Sequence, residues 1–362
     1  MNPGLKILLL PFAFIYGLIT LIRNRLYDTG FLKVTKFDIH TIGVGNLSVG
    51  GAGKTPLVEY LIRLLLEEEP KLATLSRGYK RKTSGFVLAD DNSTAEDIGD
   101  EPLIYKYKYK IQVAVDGNRV NGVKKLIALE NDPPKIVLLD DVFQHRAIRC
   151  GLNIVVSDYN NLYFKDIMLP AGTLREFKSG IVRADLIIIT KVPDRTSAVE
   201  IRNILKDVNP KAHQQLFFSY LKYGELYSIN NINEKIDTLN DLFRYRIISF
   251  AGIANAQPMV NYLKEYAADV KHLPFNDHHE FSVKDLEDIE RYYNSFEGGN
   301  KILVTTEKDF MRLKSNSVWN IAQRMNIYIL PVEITFKNKE EEFNQVILKY
   351  VRANRIYHQK YT

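Results

Sequence analysis

The 362-residue sequence predicts an α/β fold: a doubly wound parallel sheet, a second, smaller α/β domain behind it, and an apolar helix in front. Three observations predict it. Short, continuous apolar runs alternate with amphipathic stretches at helical spacing. A polar, asparagine-containing interval separates two such alternations. The first residues, unlike the rest, form an uncharged run from Ile7 to Ile22 flanked by Lys6, Arg23, Arg25, Lys33 and Lys36.

Residues 1–35 hold that apolar and basic segment. Pro11 and Gly17 interrupt the run, which is shorter than the roughly 20 residues that span a bilayer. Thr20-Leu21-Ile22-Arg23 offers no small-residue cleavage site of the kind that ends a signal peptide. A membrane-associated helix in the interfacial plane, its cations on anionic headgroups, is the leading reading. A tilted transmembrane anchor and a helix packed on the protein's own core remain open.

Residues 36–222 form the first domain. An alternating run from Asp38 to Val44 reads as a strand, and Leu57, Val58, Leu61, Ile62, Leu65 and Leu66 recur at helical spacing up to Pro70. The runs 72–75, 111–115, 136–139, 154–156 and 186–189 are too short for helices and too continuous for a half-exposed sheet, so they read as buried parallel strands. A helix is expected at 119–130. Tyr105 to Lys110 alternates like a strand, but the acids and proline of Asp100-Glu101-Pro102 favour a helix from Pro102 to about Tyr109.

Residues 223–243, with Asn230, Asn231 and Asn233, read as a linker. Residues 244–362 form the second α/β domain: a strand from Arg246 to Phe250, helices at 258–267 and 283–296, and strands at 302–305 and 327–332.

Composition narrows the function. A net charge of +6, from 49 basic and 43 acidic residues, favours anionic partners without pointing to nucleic acid. The single cysteine, Cys150, excludes an intrachain disulfide, suits a reducing compartment and reads as a small apolar filler. No H-x-x-x-H or Cys/His cluster suggests structural zinc, and no feature calls for an obligate protein partner.

The chemistry centres on Ser48-Val49-Gly50-Gly51-Ala52-Gly53-Lys54-Thr55, between a strand and a helix. Glycines let successive backbone N–H groups converge on phosphate oxygens, Lys54 adds a point charge, and Thr55 can hold Mg²⁺. This makes the fold P-loop NTPase-like, although Ser48 stands where the general pattern has glycine. Asp140 and Asp141 end the run 136–139, at the sheet edge where ligands bind, as magnesium carboxylates or as turn caps. Asp100 and Glu101 taken alone read as helix-start acids. Arg175 and Glu176 follow a proline and glycine loop; arginine can clamp phosphate and glutamate can bind magnesium. Leu186 to Lys191 resembles a guanine-reading strand, but the aspartate arrives one residue late, at Asp194, so adenine is preferred. In the second domain Asp277-His278-His279-Glu280 and Thr305 to Asp309 are polar loops of either structural or functional use.

Together these segments resemble the tetraacyldisaccharide 4′-kinases of lipid A biosynthesis in Gram-negative bacteria. The resemblance runs through Gly45 to Pro56, Ser76 to Tyr79, Gly99 to Pro102, Asp140 to His145, Pro170 to Glu176, Asp277-His278 and Thr306 to Asp309. Ser48 belongs to that family's own loop. Val142 departs from it, standing where a small residue is usual; valine disfavours positive φ, so the backbone after Asp141 is expected to differ.

The resemblance implies two α/β domains joined by a short β linker, with the active site in the cleft between them. It implies transfer of the γ-phosphoryl of ATP to the 4′-hydroxyl of a tetraacyldisaccharide 1-phosphate at the cytoplasmic face of the inner membrane. Asp100 would be the base, paired with His278. The loop from Ser48 to Thr55 would hold phosphates, and Thr55, Asp140, Asp141 and Glu176 would organise Mg²⁺. Asn46, Arg77, Arg119 and Arg175 would contact substrate. A P-loop ATPase that acts on a protein partner is the chief alternative, needing the loop but not Asp100, His278 and the apolar segment together; a non-catalytic nucleotide-binding membrane module is a third reading.

Overall fold

The computed structural model describes residues 3–237, 240–295, 299–314 and 317–353. Helix α1 (Pro3–Asp28) leads into β1 (His40–Asn46), α2 (Lys54–Leu66), β2 (Leu72–Ser76), β3 (Val87–Leu88), α3 (Ala95–Ile98), α4 (Asp100–Lys108), β4 (Gln112–Val115) and α5 (Arg119–Ile127). Then follow β5 (Ile136–Asp140), β6 (Leu152–Asp158), β7 (Leu186–Thr190), α6 (Ala198–Val208) and β8 (Gln215–Phe218). The eight strands lie in the order β3-β4-β2-β5-β1-β6-β7-β8, all neighbours parallel except β3 with β4.

Every residue of β2, β5 and β7 is buried, which is why their sequences run apolar without alternation. After β1 the strand order turns back: β2 lies on one side, across β5, and β6 on the other. The crevice beyond the carboxyl ends of β1 and β5 is therefore the switch point where such sheets bind ligands.

The second layer has β9 (Tyr220–Tyr223), β10 (Leu226–Ser228), β11 (Lys235–Ile236), β12 (Tyr245–Ala251), α7 (Gln257–Tyr266), β13 (Asp269–Pro274), α8 (Val283–Ser295), β14 (Asn300–Thr305) and α9 (Glu307–Lys314). It closes with α10 (Trp319–Ala322), β15 (Ile327–Ile329), β16 (Val332–Thr335) and α11 (Glu340–Ala353). Six strands form a sheet in the order β11-β10-β15-β14-β12-β13, while β9 and β16 pair antiparallel as a separate ribbon. Phe296, the expected end of one helix, lies outside the described residues.

Four expectations need revision. The interval 223–243 is no bare linker, since β10 and β11 within it extend the second sheet. The expected strand 327–332 is two strands, because Pro331 brings no N–H to a ladder and the chain changes sheets around it. The last helix, α11, does not stay with the second domain: Tyr350 Oη donates to the Thr41 carbonyl at 3.2 Å, and Phe343 stacks on Phe336 at 4.1 Å beside Phe217 of β8. The pattern 327–353 could not show this, because an amphipathic helix records that it has an apolar face and not which sheet covers it. Finally, α1 is one continuous helix of 26 residues with Pro11 inside it, so Pro11 does not interrupt it, and the whole helix, unlike the uncharged run alone, is long and apolar enough to cross a membrane by length and composition.

One apolar core joins both layers, from Ile42 and Leu61 to Phe250 and Phe310. At the junction α4 packs on α9, with Tyr107 and Phe310 edge to face at 5.3 Å. Cys150 is buried beside Gly43, and burial pushes its thiol up to about 12, in keeping with a filler.

Candidate active site

The glycine-rich turn from Ser48 to Thr55 is held from both sides. On one side Val49 N donates to the Thr173 carbonyl at 2.8 Å and Arg175 N to the Leu47 carbonyl at 2.7 Å. On the other, Thr190 Oγ1 donates to the Ala52 carbonyl at 2.8 Å, and Lys191 reaches the Gly51 carbonyl and Asp158. Gly53 caps α2 with φ 80°, a left-handed conformation that lets Lys54 and Thr55 open the helix directly. Lys191 thus braces the loop, and Asp194 pairs with Lys337 at 2.9 Å. Neither arrangement resembles a base-reading pair.

Lys54 Nζ lies 3.2 Å from Asn46 Oδ1 and 3.3 Å from Asp141 Oδ1. Arg175 grips Asp141 with both Nη atoms, at 2.8 and 3.0 Å, and also reaches Asn46 Oδ1. Burial works to raise the Asp141 carboxyl, but Arg175 and Lys54 hold it well below the usual carboxylate range. Asp140 goes the other way: burial, with the Glu101 charge, pushes it up to about 7, while Lys54 opposes. The left-handed residue here is Asp141, φ 49°, and Val142 is not among the positive-φ positions. Val142 therefore carries no positive-φ strain, and its side chain packs against Gly43.

Helix α4 brings the second layer into the same site. Gly99, φ 92°, turns the chain so that Asp100 and Glu101 occupy its first turn. Glu101 Oε1 accepts from Thr55 Oγ1 at 2.8 Å and from Lys308 Nζ at 2.6 Å. Burial would raise Glu101, but Lys308, Lys54 and Thr55 outweigh it and hold it below its ordinary value. Asp100 Oδ2 accepts from Arg312 Nε and Nη2 at 2.9 and 2.8 Å, with His278 Nδ1 at 3.4 Å. Here too burial is overcome, by His278 and Arg312, and the carboxyl stays lowered. Among the described residues no partner is recorded for Asp100 Oδ1.

Arg312 is itself fixed. Its Nη1 donates to the Gly252 carbonyl at 2.7 Å and to Asp309 Oδ1 at 2.8 Å. Asp309 is tied in turn by Thr306 Oγ1 at 2.7 Å and by Gly252 N at 3.1 Å. His278 sits at φ 61° with its N–H on the Gly252 carbonyl at 2.9 Å, and its ring lies 5.5 Å from that of Tyr79. His279 instead bonds Asp285 at 3.0 Å near the start of α8.

The structure therefore brings together Lys54, Thr55, Asp140, Asp141, Arg175, Asp100 and His278. Other predicted residues have different surroundings. Asn46 is buried, and its amide braces the loop: Nδ2 donates to the Ser48 carbonyl at 2.5 Å and Oδ1 accepts from Lys54. It is not open to substrate as expected. Arg119 is buried at the start of α5, donating to the carbonyls of Asp116, Gly117 and Asp141 at 3.1 to 3.3 Å. Arg77 is exposed on the loop after β2. Glu176 is 2% exposed, and both its oxygens are engaged, by Arg183 at 2.8 Å and by Gln144 and Asn24 at 3.0 Å. Residue-level reading took Glu101 only as a helix-start acid and Lys308 only as part of a polar loop, and it assigned nothing to Arg312. The available signal was the acid next to Asp100 and the spacing of Lys308, Asp309 and Arg312, which puts all three on one helical face.

A magnesium ion can be tested against these residues. Among the described residues no group of three or more His, Cys, Asp or Glu side chains could cage a metal. Mg²⁺ at nucleotides needs no such cage, taking one or two carboxylates together with phosphate oxygens and water. Asp140 Oδ1 is buried without a hydrogen-bond partner, while Oδ2 accepts from Tyr105 Oη at 3.2 Å. An orphaned, buried carboxylate oxygen within the field of Lys54 fits that requirement.

Known proteins resemble this chain over nearly its whole length. Residues 5–352 match a family model described as Tetraacyldisaccharide-1-P 4′-kinase. A tetraacyldisaccharide 4′-kinase of Flavobacterium johnsoniae is 46% identical over 97% of this chain and 98% of its own. One of Bacteroides thetaiotaomicron is 42% identical over 96% and 93%. A crystal structure of LpxK from Aquifex aeolicus in complex with ATP, 30% identical, covers 96% of this chain and 99% of its own with a TM-score of 0.71.

Proposed function

We propose a phosphoryl-transfer course for this chain, which belongs to the tetraacyldisaccharide-1-P 4′-kinase family. The protein is a kinase of lipid A biosynthesis that transfers the γ-phosphoryl of ATP to the 4′-hydroxyl of a tetraacyldisaccharide 1-phosphate. The observation that carries the residue assignment is the adjacency of Asp100 and Glu101. One faces His278 and Arg312 of the second layer, the other faces Thr55 of the phosphate loop. Base and phosphate cradle are one residue apart on one helix turn.

Asp100 accepts the proton of the 4′-hydroxyl, whose oxygen forms the new bond to phosphorus as the bond to the bridging oxygen breaks and ADP leaves. His278 and Arg312 keep Asp100 ionised and aimed, using one oxygen and leaving the other for the substrate. Charge-assisted hydrogen bonds of this kind contribute about 1.5–3 kcal/mol each. Backbone N–H groups of residues 50–55 and Lys54 hold the phosphates in line, which is most of what phosphoryl transfer asks of a protein. Thr55 and Asp140, with Asp141 behind them, would hold Mg²⁺, which supplies charge neutralisation at the phosphate oxygens when bound.

Helix α1 serves the acylated substrate. Ile7, Leu8, Phe12, Phe14, Ile15 and Ile19 are each more than half exposed, an apolar surface too large to be idle in water. Its other face lies on the protein, with Ala13 buried and Gly17 close to Phe177 and Met168. With Ala13 and Gly17 both held against the protein and the opposite face apolar and exposed, α1 lies along the membrane interface in this reading. The protein is peripheral, on the cytoplasmic face of the inner membrane, where ATP is available.

The test supplies the lipid disaccharide in vesicles with γ-labelled ATP. Label should appear in the lipid only when acceptor is present. Release of free phosphate without lipid labelling, from enzyme that binds ATP, would sink the reading in favour of an ATPase.

A further inference from the structure

We propose that α1 is a positioning element for the nucleotide site as well as a membrane contact, acting through Asn24 on Glu176, Gln144 and Asn46. Asn24 Nδ2 donates to Glu176 Oε2 at 3.0 Å. Glu176 Oε1 accepts from Gln144 Nε2 at 3.0 Å, and the same amide donates to the Asn46 carbonyl at 2.9 Å. Asn46 in turn receives Lys54 and Arg175 on its side-chain oxygen. A second line runs beside the first: Tyr16 Oη donates to the Arg175 carbonyl at 3.0 Å, and Arg23 to the Gln144 carbonyl at 2.9 Å. Two lines from one face of α1 thus converge on the last residue of β1, where the phosphate loop begins.

The balance at Glu176 makes the relay consequential. This buried carboxylate has one cation, Arg183, and two neutral amides. Removing the Asn24 donor leaves Oε2 to Arg183 alone. Arg183 Nη2 already lies 2.8 Å from both oxygens, so without the Asn24 donor the carboxylate pivots on that one guanidinium and its alignment with Gln144 is no longer fixed from the α1 side. Gln144 loses a fixed acceptor, and the brace on Asn46 and Lys54 loosens. The apolar face of α1 takes no part in this, and neither does the Asp28 to Arg146 ion pair at 2.6 Å near the end of the helix. The relay rests on the nucleotide reading of the loop, and it separates membrane contact from phosphate positioning within one helix.

The test uses the full chain on phosphatidylethanolamine and phosphatidylglycerol vesicles, with titration of a fluorescent ATP analogue and steady-state transfer measured together. Asn24→Leu should weaken analogue affinity and raise KM for ATP about five- to tenfold. Its vesicle binding and KM for the lipid should stay within about twofold of wild type. Tyr16→Phe, which keeps the packing and loses one donor, should shift KM for ATP the same way by about threefold and covers the case in which Asn24→Leu folds poorly. Asp28→Asn should change none of these. The proposal is overturned if both relay variants bind the analogue as wild type does, if the loss falls on vesicle binding or lipid KM instead, or if Asp28→Asn reproduces it. If the wild type binds the analogue but labels no lipid, the kinase reading fails, while the titration still decides the relay.

Discussion

Arg312 Nη2 lies 2.8 Å from Asp100 Oδ2 although 212 residues separate the two in the chain. The pair closes the junction of the two α/β layers and sets the ionisation of the residue that would accept the substrate proton. Arg312 engages the Gly252 carbonyl, Asp309 and Asp100 at once, so its planar fork is used on several sides. Lysine cannot reproduce that geometry.

Arg312→Lys should therefore cut lipid-dependent transfer by about 100-fold while ATP affinity changes less than about threefold. Parallel measurement of label transfer and nucleotide binding checks this. Equal losses in both would mean that the pair holds the fold and does not aim the base.

Asp100→Asn should retain ATP binding and lose roughly 10²–10⁴-fold in transfer, the range general base catalysis provides. Because Arg312 and His278 lower the Asp100 carboxyl, the base stays ionised through neutrality and is lost only as pH falls through a value below the ordinary one. The pH profile of kcat/KM should show no loss assignable to Asp100 between pH 6 and pH 8. A limb in that window that vanishes in Asp100→Asn would contradict the assignment.

Lys108 lies between two carboxylates at the layer junction, 2.6 Å from Glu307 and paired also with Glu59. Burial and the Glu59 charge raise Glu307 to about 7, with Lys108 opposing. A carboxyl raised in the fold binds more protons there than in the unfolded chain, so stability falls as pH rises from about 4.3 to about 7. Glu307→Gln carries no such proton. The melting temperature of the variant relative to wild type should rise by several degrees between pH 5 and pH 8. A difference that stays flat with pH would mean that Glu307 is ionised in the fold at pH 5.

Replacing Phe12, Phe14 and Ile15 together by serine removes apolar side chains worth about 1.5–3 kcal/mol each when buried in lipid. Vesicle cosedimentation should fall more than about tenfold, while transfer to a detergent-dispersed acceptor is largely kept. Unchanged cosedimentation would count against α1 as the membrane contact.

The glycine-rich loop was legible because it is written in contiguous residues: glycines, Lys54 and Thr55 lie between a strand and a helix whose periods show directly in the letters. Strands β2, β5 and β7 were legible for a related reason, since burial on both faces demands unbroken apolar runs. The resemblance of ordered motifs pointed to Asp100 and His278 but not to what aims them. Arg312 lies outside every motif, and nothing local says that it faces a carboxylate 212 residues away.

Sequence alone thus determined the α/β class, the glycine-rich loop between its first strand and the helix that follows, and the presence of an apolar leading helix. Tertiary structure decided where partners meet: Glu101 between Thr55 and Lys308, Arg312 on Asp100, α11 back on the first sheet, and α1 fastened to Glu176 through Asn24. The physical reason is the range of the forces involved. Periodicity and turn chemistry act over a few neighbouring residues, whereas a buried charge chooses its partner by distance in space, which only the packed chain defines.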